Sequence, residues 1–382
     1  MIKKRAEVVV IGGGVIGCAI AYNLARLGCR DVVVLERNYL ASGATGRCGA
    51  GIRQQWGTEM NCFLARESMK LFEEMNQLLA VKRDIELKQG GYLLLAFSER
   101  EMEQFEQNLR LQQSMGIPSR LVTPGEAREI VPYLNTAQVV GGAFCPTDGH
   151  ANPFKVTQAY ADAARKLGVK IYTFTEARDI KIAKGRIVGV DTSQGFIKTT
   201  KVVNAAGGYA GVIGRMVGIE IPVKSERHQI LVTEAVEPLQ QPMIISFSYN
   251  IYCQQTPEGT FMMGFGDPTE PESYNIKSSW QFLEEMARKA TRLLPLLGNL
   301  RVIRQWAGLY NITPDRQPII AHSSEVSGFY LAVGFSGHGF MIAPMTGQLI
   351  AEMILEQELT VELKLDLERF ERGELILEPS VV

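Results

Sequence analysis

A glycine turn between an apolar strand and an apolar helix restricts the fold of this chain more than any other feature. Gly12, Gly14 and Gly17 lie between residues 7–11, a run rich in valine, and residues 15–27, which have the composition of a buried helix. Glycines at this spacing permit a tight turn, close approach of backbone to a pyrophosphate, and packing of helix on strand. The N–H groups at the helix N-terminus attract that pyrophosphate. The segment therefore predicts a bound dinucleotide rather than a signal peptide, which the basic first residues superficially resemble.

A second predicted strand leads to an acidic residue at the spacing that ribose recognition requires. Residues 31–35 contain three valines and a leucine and are followed by Glu36, which lies 24 positions after Gly12. A carboxylate at this place accepts hydrogen bonds from ribose hydroxyls. Glu36 therefore favours an unphosphorylated adenosine ribose, as in FAD or NAD, over that of NADP.

The segment after Glu36 favours a flavin over a nicotinamide cofactor. Residues 37–53 are small, hydroxylated and rich in glycine, as backbone lying along an extended cofactor requires. A nicotinamide-binding domain would continue here with another helix and strand. We therefore expect FAD.

Three blocks of the chain carry a common pattern of glycines and small residues. They are residues 1–56, residues 169–208 and residues 310–340. Together they resemble the family of FAD-dependent amino-acid and amine oxidoreductases that includes D-amino-acid oxidase, glycine oxidase and sarcosine oxidase. The pattern is most similar to the β subunit of heteromeric sarcosine oxidases and of archaeal dye-linked L-proline dehydrogenases. The resemblance implies FAD contacts at Gly12, Gly14, Gly17, Glu36, Arg37, Ser42, Thr45, Arg47, Gly49, Ala177, Ala206, Gly207, Gly308, Gly337, His338, Gly339, Phe340 and Met341.

The positions of these blocks predict a discontinuous cofactor domain. We expect an α/β Rossmann-like FAD-binding domain and an α+β substrate domain with a mostly antiparallel sheet. The FAD-binding domain is predicted to comprise residues 1–85, 150–215 and 305–382, and the substrate domain residues 86–149 and 216–304. Within the substrate domain, Ser278 and Gln281 form the pattern of a capping box, which predicts the start of a helix.

Arg53 is the predicted anchor for a substrate carboxylate, because a guanidinium grips a carboxylate through two parallel hydrogen bonds. The resemblance aligns it with the carboxylate-binding arginine of sarcosine oxidases. An arginine here could also face the pyrophosphate or solvent. Tyr310 matches a family tyrosine near the substrate, and Tyr252 is predicted on the covering sheet; both are equally consistent with core aromatics.

Three positions depart from the sarcosine oxidase pattern. Gly308 stands where the flavin-linking cysteine is expected, so FAD is predicted to bind without a covalent bond. Met262 replaces the lysine credited with activating oxygen, and Met341 replaces a second carboxylate-binding lysine. A fixed cation would stabilise developing superoxide, and a thioether would not.

These departures predict an enzyme of amino-acid catabolism that works as a dehydrogenase. We expect it to oxidise a secondary amino acid, L-proline first and sarcosine second, to the imine, and to pass electrons to a second subunit of a hetero-oligomer or to an artificial acceptor. The alternative is an oxygen-using oxidase of glycine, sarcosine or a D-amino acid. A non-catalytic flavin-binding subunit is a further alternative.

The remaining expectations concern partners and location. His150 falls near the histidine that holds FMN in heterotetrameric sarcosine oxidase, so the resemblance adds FMN at a subunit interface as a second candidate cofactor. The 40 Lys and Arg residues balance 41 Asp and Glu residues, which argues against nucleic-acid binding. Six cysteines and four histidines show no metal-ligand spacing, and the thiols suggest a cytoplasmic protein. No apolar run is long enough to predict a membrane span.

Overall fold

The structure is a computed structural model that describes residues 2–267 and 269–379. Its strands are β1 (Val8–Ile11), β2 (Val32–Leu35), β3 (Gly51–Ile52), β4 (Tyr92–Ala96), β5 (Arg120–Val122), β6 (Gly141–Cys145), β7 (Gly149–His150), β8 (Lys170–Tyr172), β9 (Ala177–Ala183), β10 (Arg186–Thr192), β11 (Gly195–Lys198), β12 (Lys201–Asn204), β13 (Lys224–Ala235), β14 (Met243–Ser246), β15 (Ile251–Gln255), β16 (Thr260–Phe265), β17 (Val302–Ile312), β18 (Ile319–His322) and β19 (Phe329–Val333). Its α-helices are α1 (Val15–Arg26), α2 (Glu59–Leu78), α3 (Glu99–Ser114), α4 (Pro124–Ile130), α5 (Pro153–Lys166), α6 (Ala210–Met216), α7 (Trp280–Leu293) and α8 (Ala343–Ile354).

β1 lies inside a six-stranded sheet with the order β18-β19-β12-β1-β2-β8. β1 pairs in parallel with β2 and β12, and β8 and β19 extend the parallel arrangement on either side. β18 is antiparallel to β19. Val8, Val9 and Val10 are fully buried because the sheet is covered on both faces by separate apolar clusters. The predicted Rossmann-like sheet is confirmed.

The second large sheet has eight strands in the order β17-β13-β16-β15-β14-β4-β6-β5. Its neighbours pair antiparallel except β14 and β4, so the predicted, mostly antiparallel sheet is also confirmed. α7 buries Phe282, Met286 and Leu293 in a core cluster shared with this sheet. No helix among the described residues is long and apolar enough to cross a bilayer.

The start of α7 differs from the predicted capping box at Ser278. Ser279 is the N-cap, because its backbone is extended and its hydroxyl accepts a hydrogen bond from Phe282 N at 3.3 Å. The side chain that caps the first turn of α7 therefore belongs to the residue after the predicted one.

The predicted domain boundaries stay a prediction. The boundary at residue 305 falls inside β17, which belongs entirely to the eight-stranded sheet.

A short two-stranded ribbon lies next to Arg53, the predicted substrate anchor. β3 and β7 pair antiparallel, with Gly51 opposite His150 and Ile52 opposite Gly149. Gly149 has no room for a side chain, since an added Cβ would lie 2.0 Å from the carbonyl oxygen of Lys88. The ribbon therefore brings the segment after β3 against the turn before β7.

Candidate functional site

The glycine turn has the tight geometry that a dinucleotide site requires. Gly12 has a φ of +119°, and a Cβ added there would lie 2.2 Å from the Ala205 carbonyl oxygen. A Cβ at Gly17 would lie 2.0 Å from the Gly12 carbonyl oxygen. Gly14 is the N-cap of α1 and provides no side chain to the helix N-terminus. Thr45 reaches this terminus, where its hydroxyl accepts a hydrogen bond from Val15 N at 3.2 Å.

Glu36 lies buried at the carboxyl end of β2, directly beside this turn. One carboxylate oxygen accepts a hydrogen bond from Gly13 N at 2.9 Å. The other accepts bonds from Asn38 N at 2.8 Å and from the Ser42 hydroxyl at 3.3 Å. The Glu36 carbonyl oxygen accepts a bond from Thr175 N at 2.8 Å. Glu36 thus joins the glycine turn, the following loop and the segment at Thr175 that precedes β9.

Arg37 and the turn after β12 line the neighbouring surface. The Arg37 guanidinium lies 3.6 Å above the Tyr209 ring. Tyr209 belongs to a 3₁₀ turn that begins at Gly207, whose φ is +54°, immediately after Ala206. Ala177 begins β9 and is buried in the core beside the six-stranded sheet.

The eight-stranded sheet presents an aromatic surface. Because alternate strand residues share a face, the register places His228 opposite Gly308 and Tyr252 opposite Gly264 on one side. The His228 ring lies parallel to the Tyr310 ring, with centroids 4.1 Å apart, and to the Tyr252 ring at 5.8 Å. Tyr252 and Tyr310 are therefore brought together by a residue that sequence reasoning missed.

This surface and the turn of residues 337–341 beside it carry buried polar atoms that lack hydrogen-bond partners among the described residues. They are the Tyr252 hydroxyl, Nε2 of His228, and both ring nitrogens of His338. Burial lowers the pKa of His228 to about 4; burial, with the charge of Arg53, lowers the pKa of His338 to about 3. Both imidazoles are therefore neutral near pH 7. Buried polar groups are almost always paired, so these atoms fit a bound cofactor and substrate.

Residues 337–341 form the turn that leads to α8. Gly337 has a φ of +96°, and an added Cβ would lie 2.6 Å from the Tyr310 ring. The Phe340 ring packs 5.7 Å from the Phe72 ring, and Met341 is buried in the same core. The turn thus contacts the aromatic surface through Gly337, while Phe340 and Met341 contribute to the core.

Arg53 follows β3 and is only 4% exposed. Its guanidinium lies 3.9 Å above the Trp56 ring, and the Trp56 ring lies 5.0 Å from His338. Burial lowers the pKa of Arg53, while the nearby carboxylates of Glu378 and Asp148 oppose that shift. An arginine remains protonated throughout the physiological range. The structure therefore holds a buried cation over Trp56 and close to the neutral imidazole of His338, away from solvent.

Glu378 is a second residue that sequence reasoning missed. It lies in the C-terminal segment and accepts hydrogen bonds from Gly57 N at 2.8 Å, the Thr58 hydroxyl at 2.9 Å and Asn61 Nδ2 at 2.9 Å. These donors are at the N-terminus of α2, where a carboxylate is favourable. No local pattern connects residues that are more than 300 positions apart.

A separate cavity of about 370 Å³ brings together four predicted residues: Ser42, Arg47, His150 and Met262. Gln254 also lines it and donates from Nε2 to the Gly49 carbonyl oxygen at 2.6 Å. Burial lowers the pKa of His150, so its imidazole is neutral near pH 7. No lysine is among the described residues that line this cavity.

Arg47 is held by the main chain at the edge of this cavity. Its Nη1 donates to the Ala307 carbonyl oxygen at 2.9 Å and its Nε to the Ser42 carbonyl oxygen at 3.2 Å. An added Cβ at Gly308 would lie 3.0 Å from the Arg47 Cβ. Arg47 therefore connects the glycine-rich loop to β17.

Comparison with known proteins gives a consistent assignment. A family model described as FAD dependent oxidoreductase (DAO) matches residues 7–353. The sarcosine oxidase subunit beta of Arthrobacter sp. is 30% identical over 381 residues, covering 98% of this chain and 93% of that protein. The crystal structure of L-proline dehydrogenase from P. horikoshii has a TM-score of 0.93 and 39% identity, covering 98% of this chain and 100% of that chain. Glycine oxidase from Geobacillus kaustophilus has a TM-score of 0.88 and 26% identity, covering 96% and 99%. The chain therefore belongs to the DAO family of FAD-dependent oxidoreductases, as the sequence resemblance predicted.

Proposed function

We propose that this chain oxidises a secondary amino acid, L-proline in preference to sarcosine, to its imine and passes the electrons to a second subunit. The observation that carries the proposal is the buried guanidinium of Arg53, which lies over the Trp56 ring, itself 5.0 Å from the His338 ring. A substrate carboxylate that reaches this guanidinium gains two parallel, charge-assisted hydrogen bonds.

The aromatic surface suits a small ring. The stacked rings of Tyr310, His228 and Tyr252 form an aromatic wall that would exclude water from the reacting carbon. Nε2 of His228 and the Tyr252 hydroxyl are available to hold a secondary amine nitrogen. A neutral imidazole can accept a hydrogen bond from that nitrogen and so orient it toward the flavin.

The cofactor would lie between the glycine turn and the aromatic surface. Glu36 would accept hydrogen bonds from its ribose, and the N-terminus of α1 would face its pyrophosphate. When bound, FAD supplies the acceptor for the two electrons lost as the C–N single bond becomes a double bond. The protein's own part is placement of the substrate, since Arg53 and the aromatic wall fix its two ends.

The cavity that contains Met262 supports electron transfer to a partner. Its rim includes Tyr39 and Phe154, which are 55% and 51% exposed. Exposed aromatics around a concave site are typical of a protein contact. We propose that the electron-accepting subunit covers this cavity, and that FMN near His150 is a candidate carrier between the two chains. The similarity to a sarcosine oxidase subunit beta supports a hetero-oligomer. A cytoplasmic location is also proposed, consistent with six free thiols.

The alternative is an oxidase that uses oxygen directly. Its support is the similarity to glycine oxidase and to sarcosine oxidase subunits. Met262 argues against it, because a thioether offers no charge to developing superoxide.

The FAD-loaded protein, titrated under argon with L-proline, sarcosine, glycine, D-alanine and pyrrolidine, provides the test. We expect L-proline to bleach the flavin fastest, sarcosine next, and pyrrolidine far more slowly because it has no carboxylate. Bleaching by glycine or D-alanine ahead of both secondary amino acids would contradict the assigned substrate. Bleaching by none of them would support a non-catalytic flavin-binding subunit.

A further inference from the structure

Asp148 is a fully buried carboxylate close enough to Arg53 for their charges to interact. The β3–β7 ribbon pairs Ile52 with Gly149 at its last position, so Arg53, which follows β3, and Asp148, which precedes β7, lie at the same end of the ribbon. Asp148 is 0% exposed. Buried carboxylates are rare and costly, so this one needs a specific role.

The Asp148 carboxylate binds the two residues that follow Arg53. Its Oδ1 accepts hydrogen bonds from Gln54 N at 2.8 Å and from Gln54 Nε2 at 3.2 Å. Its Oδ2 accepts a bond from Gln55 Nε2 at 3.0 Å. The Gln55 side chain also donates to the Tyr92 carbonyl oxygen at 3.1 Å, which ties the loop to β4. Every one of these contacts to Asp148 comes from an N–H donor, so the loop conformation is matched to an ionised acceptor.

We propose that Asp148 is a positioning residue for the substrate carboxylate: by holding Gln54 and Gln55, it sets the place at which Arg53 binds that carboxylate. The inference rests on the proposed function of Arg53 and extends it to a residue outside the binding surface. Asp148 acts through the loop, because its side-chain hydrogen bonds go to Gln54 and Gln55.

Protonation of Asp148 would disturb this loop. A protonated carboxyl carries a donor on one oxygen, which then opposes an incoming N–H and breaks at least one of the three bonds. Burial raises the pKa of Asp148 to about 6, against the lowering effect of hydrogen bonds from Gln55 and Gln54 and the charge of Arg53. The carboxylate is therefore ionised above about pH 6 and protonated below it, so anchor geometry is lost as the pH falls.

The other groups around this pair do not titrate in the same range. Burial raises the pKa of the Tyr92 hydroxyl and raises that of the Cys145 thiol to about 12, so both face Asp148 as neutral groups. Arg53 also faces Glu378, the Cys62 thiol and the imidazole of His338. Burial raises the pKa of Cys62 to about 12. A substitution that removes the charge of Asp148 and leaves that of Glu378 separates the effects of the two carboxylates on Arg53.

The experiment compares wild-type holoprotein with Asp148→Asn. Asparagine keeps the shape but places an amide donor against Gln54 or Gln55. The probes are tetrahydro-2-furoate, a ring carboxylate without an amine, and pyrrolidine, the ring amine without a carboxylate. Binding is measured by perturbation of the flavin absorption, which requires no turnover. Asp179→Asn, which changes a carboxylate on β9 far from the ribbon, is the matched control.

We expect Asp148→Asn to weaken tetrahydro-2-furoate binding by about 10- to 100-fold at pH 8, with pyrrolidine binding within about twofold of wild type. The wild-type Kd for tetrahydro-2-furoate should rise about tenfold between pH 8 and pH 5 and remain flat in the variant, since one group titrates near pH 6. A Kd that is unchanged or tighter, in the variant or at low pH, overturns the proposal. Equal weakening of both probes also overturns it. If Asp148→Asn does not fold, the wild-type pH series alone decides.

These binding measurements are independent of the proposed reaction. If the amino-acid panel fails to bleach the flavin while the carboxylate probe still binds in a pH-dependent way, the proposed function fails and the role of Asp148 stands. If bleaching is observed but the Kd for the carboxylate probe changes neither in Asp148→Asn nor with pH, the proposed function stands and the role of Asp148 fails.

Discussion

Replacement of Arg53 by methionine removes the guanidinium while keeping an unbranched apolar side chain over the Trp56 ring. The guanidinium lies 3.9 Å above that ring and is 4% exposed, so a bound carboxylate interacts with it away from bulk water. Each charge-assisted hydrogen bond contributes about 1.5–3 kcal/mol. Two parallel bonds therefore contribute about 3–6 kcal/mol, and their loss lowers kcat/KM by roughly 10²- to 10⁴-fold at about 1.4 kcal/mol per factor of ten.

Stopped-flow reduction of the flavin under argon measures this loss with two substrates. L-Proline has the carboxylate that Arg53 is proposed to bind, and pyrrolidine has the same ring without it. We expect Arg53→Met to slow reduction by L-proline by the full factor and reduction by pyrrolidine by less than about threefold. Arg53→Lys keeps the charge but not the two-pronged geometry, so an intermediate loss of about 10- to 100-fold is expected.

A control variant and a thermal melt separate binding from folding. Arg304 is an exposed arginine that lines the cavity containing Met262, and Arg304→Met should leave both substrates unaffected. The melting temperature and the FAD content of Arg53→Met should match wild type. Equal losses with L-proline and pyrrolidine, or no loss with L-proline, would refute Arg53 as the carboxylate anchor.

Three other substitutions test the remaining parts of the site. Gly12→Ala should yield protein without bound FAD, measured by its absorption spectrum, because the added Cβ would lie 2.2 Å from the Ala205 carbonyl oxygen; retention of FAD would contradict the role of the turn. Met262→Lys should speed reoxidation of reduced flavin in air by about tenfold or more, and an unchanged rate would show that charge at this cavity is not limiting. Arg369→Met should lower the free energy of unfolding by about 3–5 kcal/mol in urea titrations, because it leaves Asp315 buried without its ion pair. Burial opposes ionisation of Asp315, but hydrogen bonds from Arg369 lower its pKa overall, so this stabilisation is present above the ordinary pKa of an aspartate and is lost as the pH falls through the lowered value.

Local features of this chain were predictable because their causes are local. The Gly12 turn and the carboxylate of Glu36 belong to one strand–helix–strand unit, and short-range sterics and spacing determine both. Arg53 lies in the same continuous stretch, so the sequence could predict that it follows the glycine-rich loop. The sequence could not predict that Arg53 is buried over Trp56, because this burial depends on the ribbon between β3 and β7.

Residues brought to the site by long-range pairing left no signal in the sequence. His228 stands between Arg227 and Gln229 in β13, and only the pairing of β13 with β17 on one side and, through β16, the position of β15 on the other stacks it between two tyrosines. Asp148 has the appearance of an ordinary turn residue until β7 pairs with β3. The N-cap of α7 is Ser279 rather than Ser278, because the Ser279 backbone is extended and its hydroxyl accepts the hydrogen bond from Phe282 N, whereas only Ser278 has the Gln three positions on that the local pattern requires.

The claim that this chain is a dehydrogenase rather than an oxidase is tested most directly by reoxidation of the reduced holoprotein. The flavin is first bleached with L-proline under argon, and the sample is then divided between air and an artificial dye. We predict rapid reoxidation by the dye, slow reoxidation by air, and little hydrogen peroxide. Reoxidation by air as fast as by the dye, with stoichiometric hydrogen peroxide, would contradict the account.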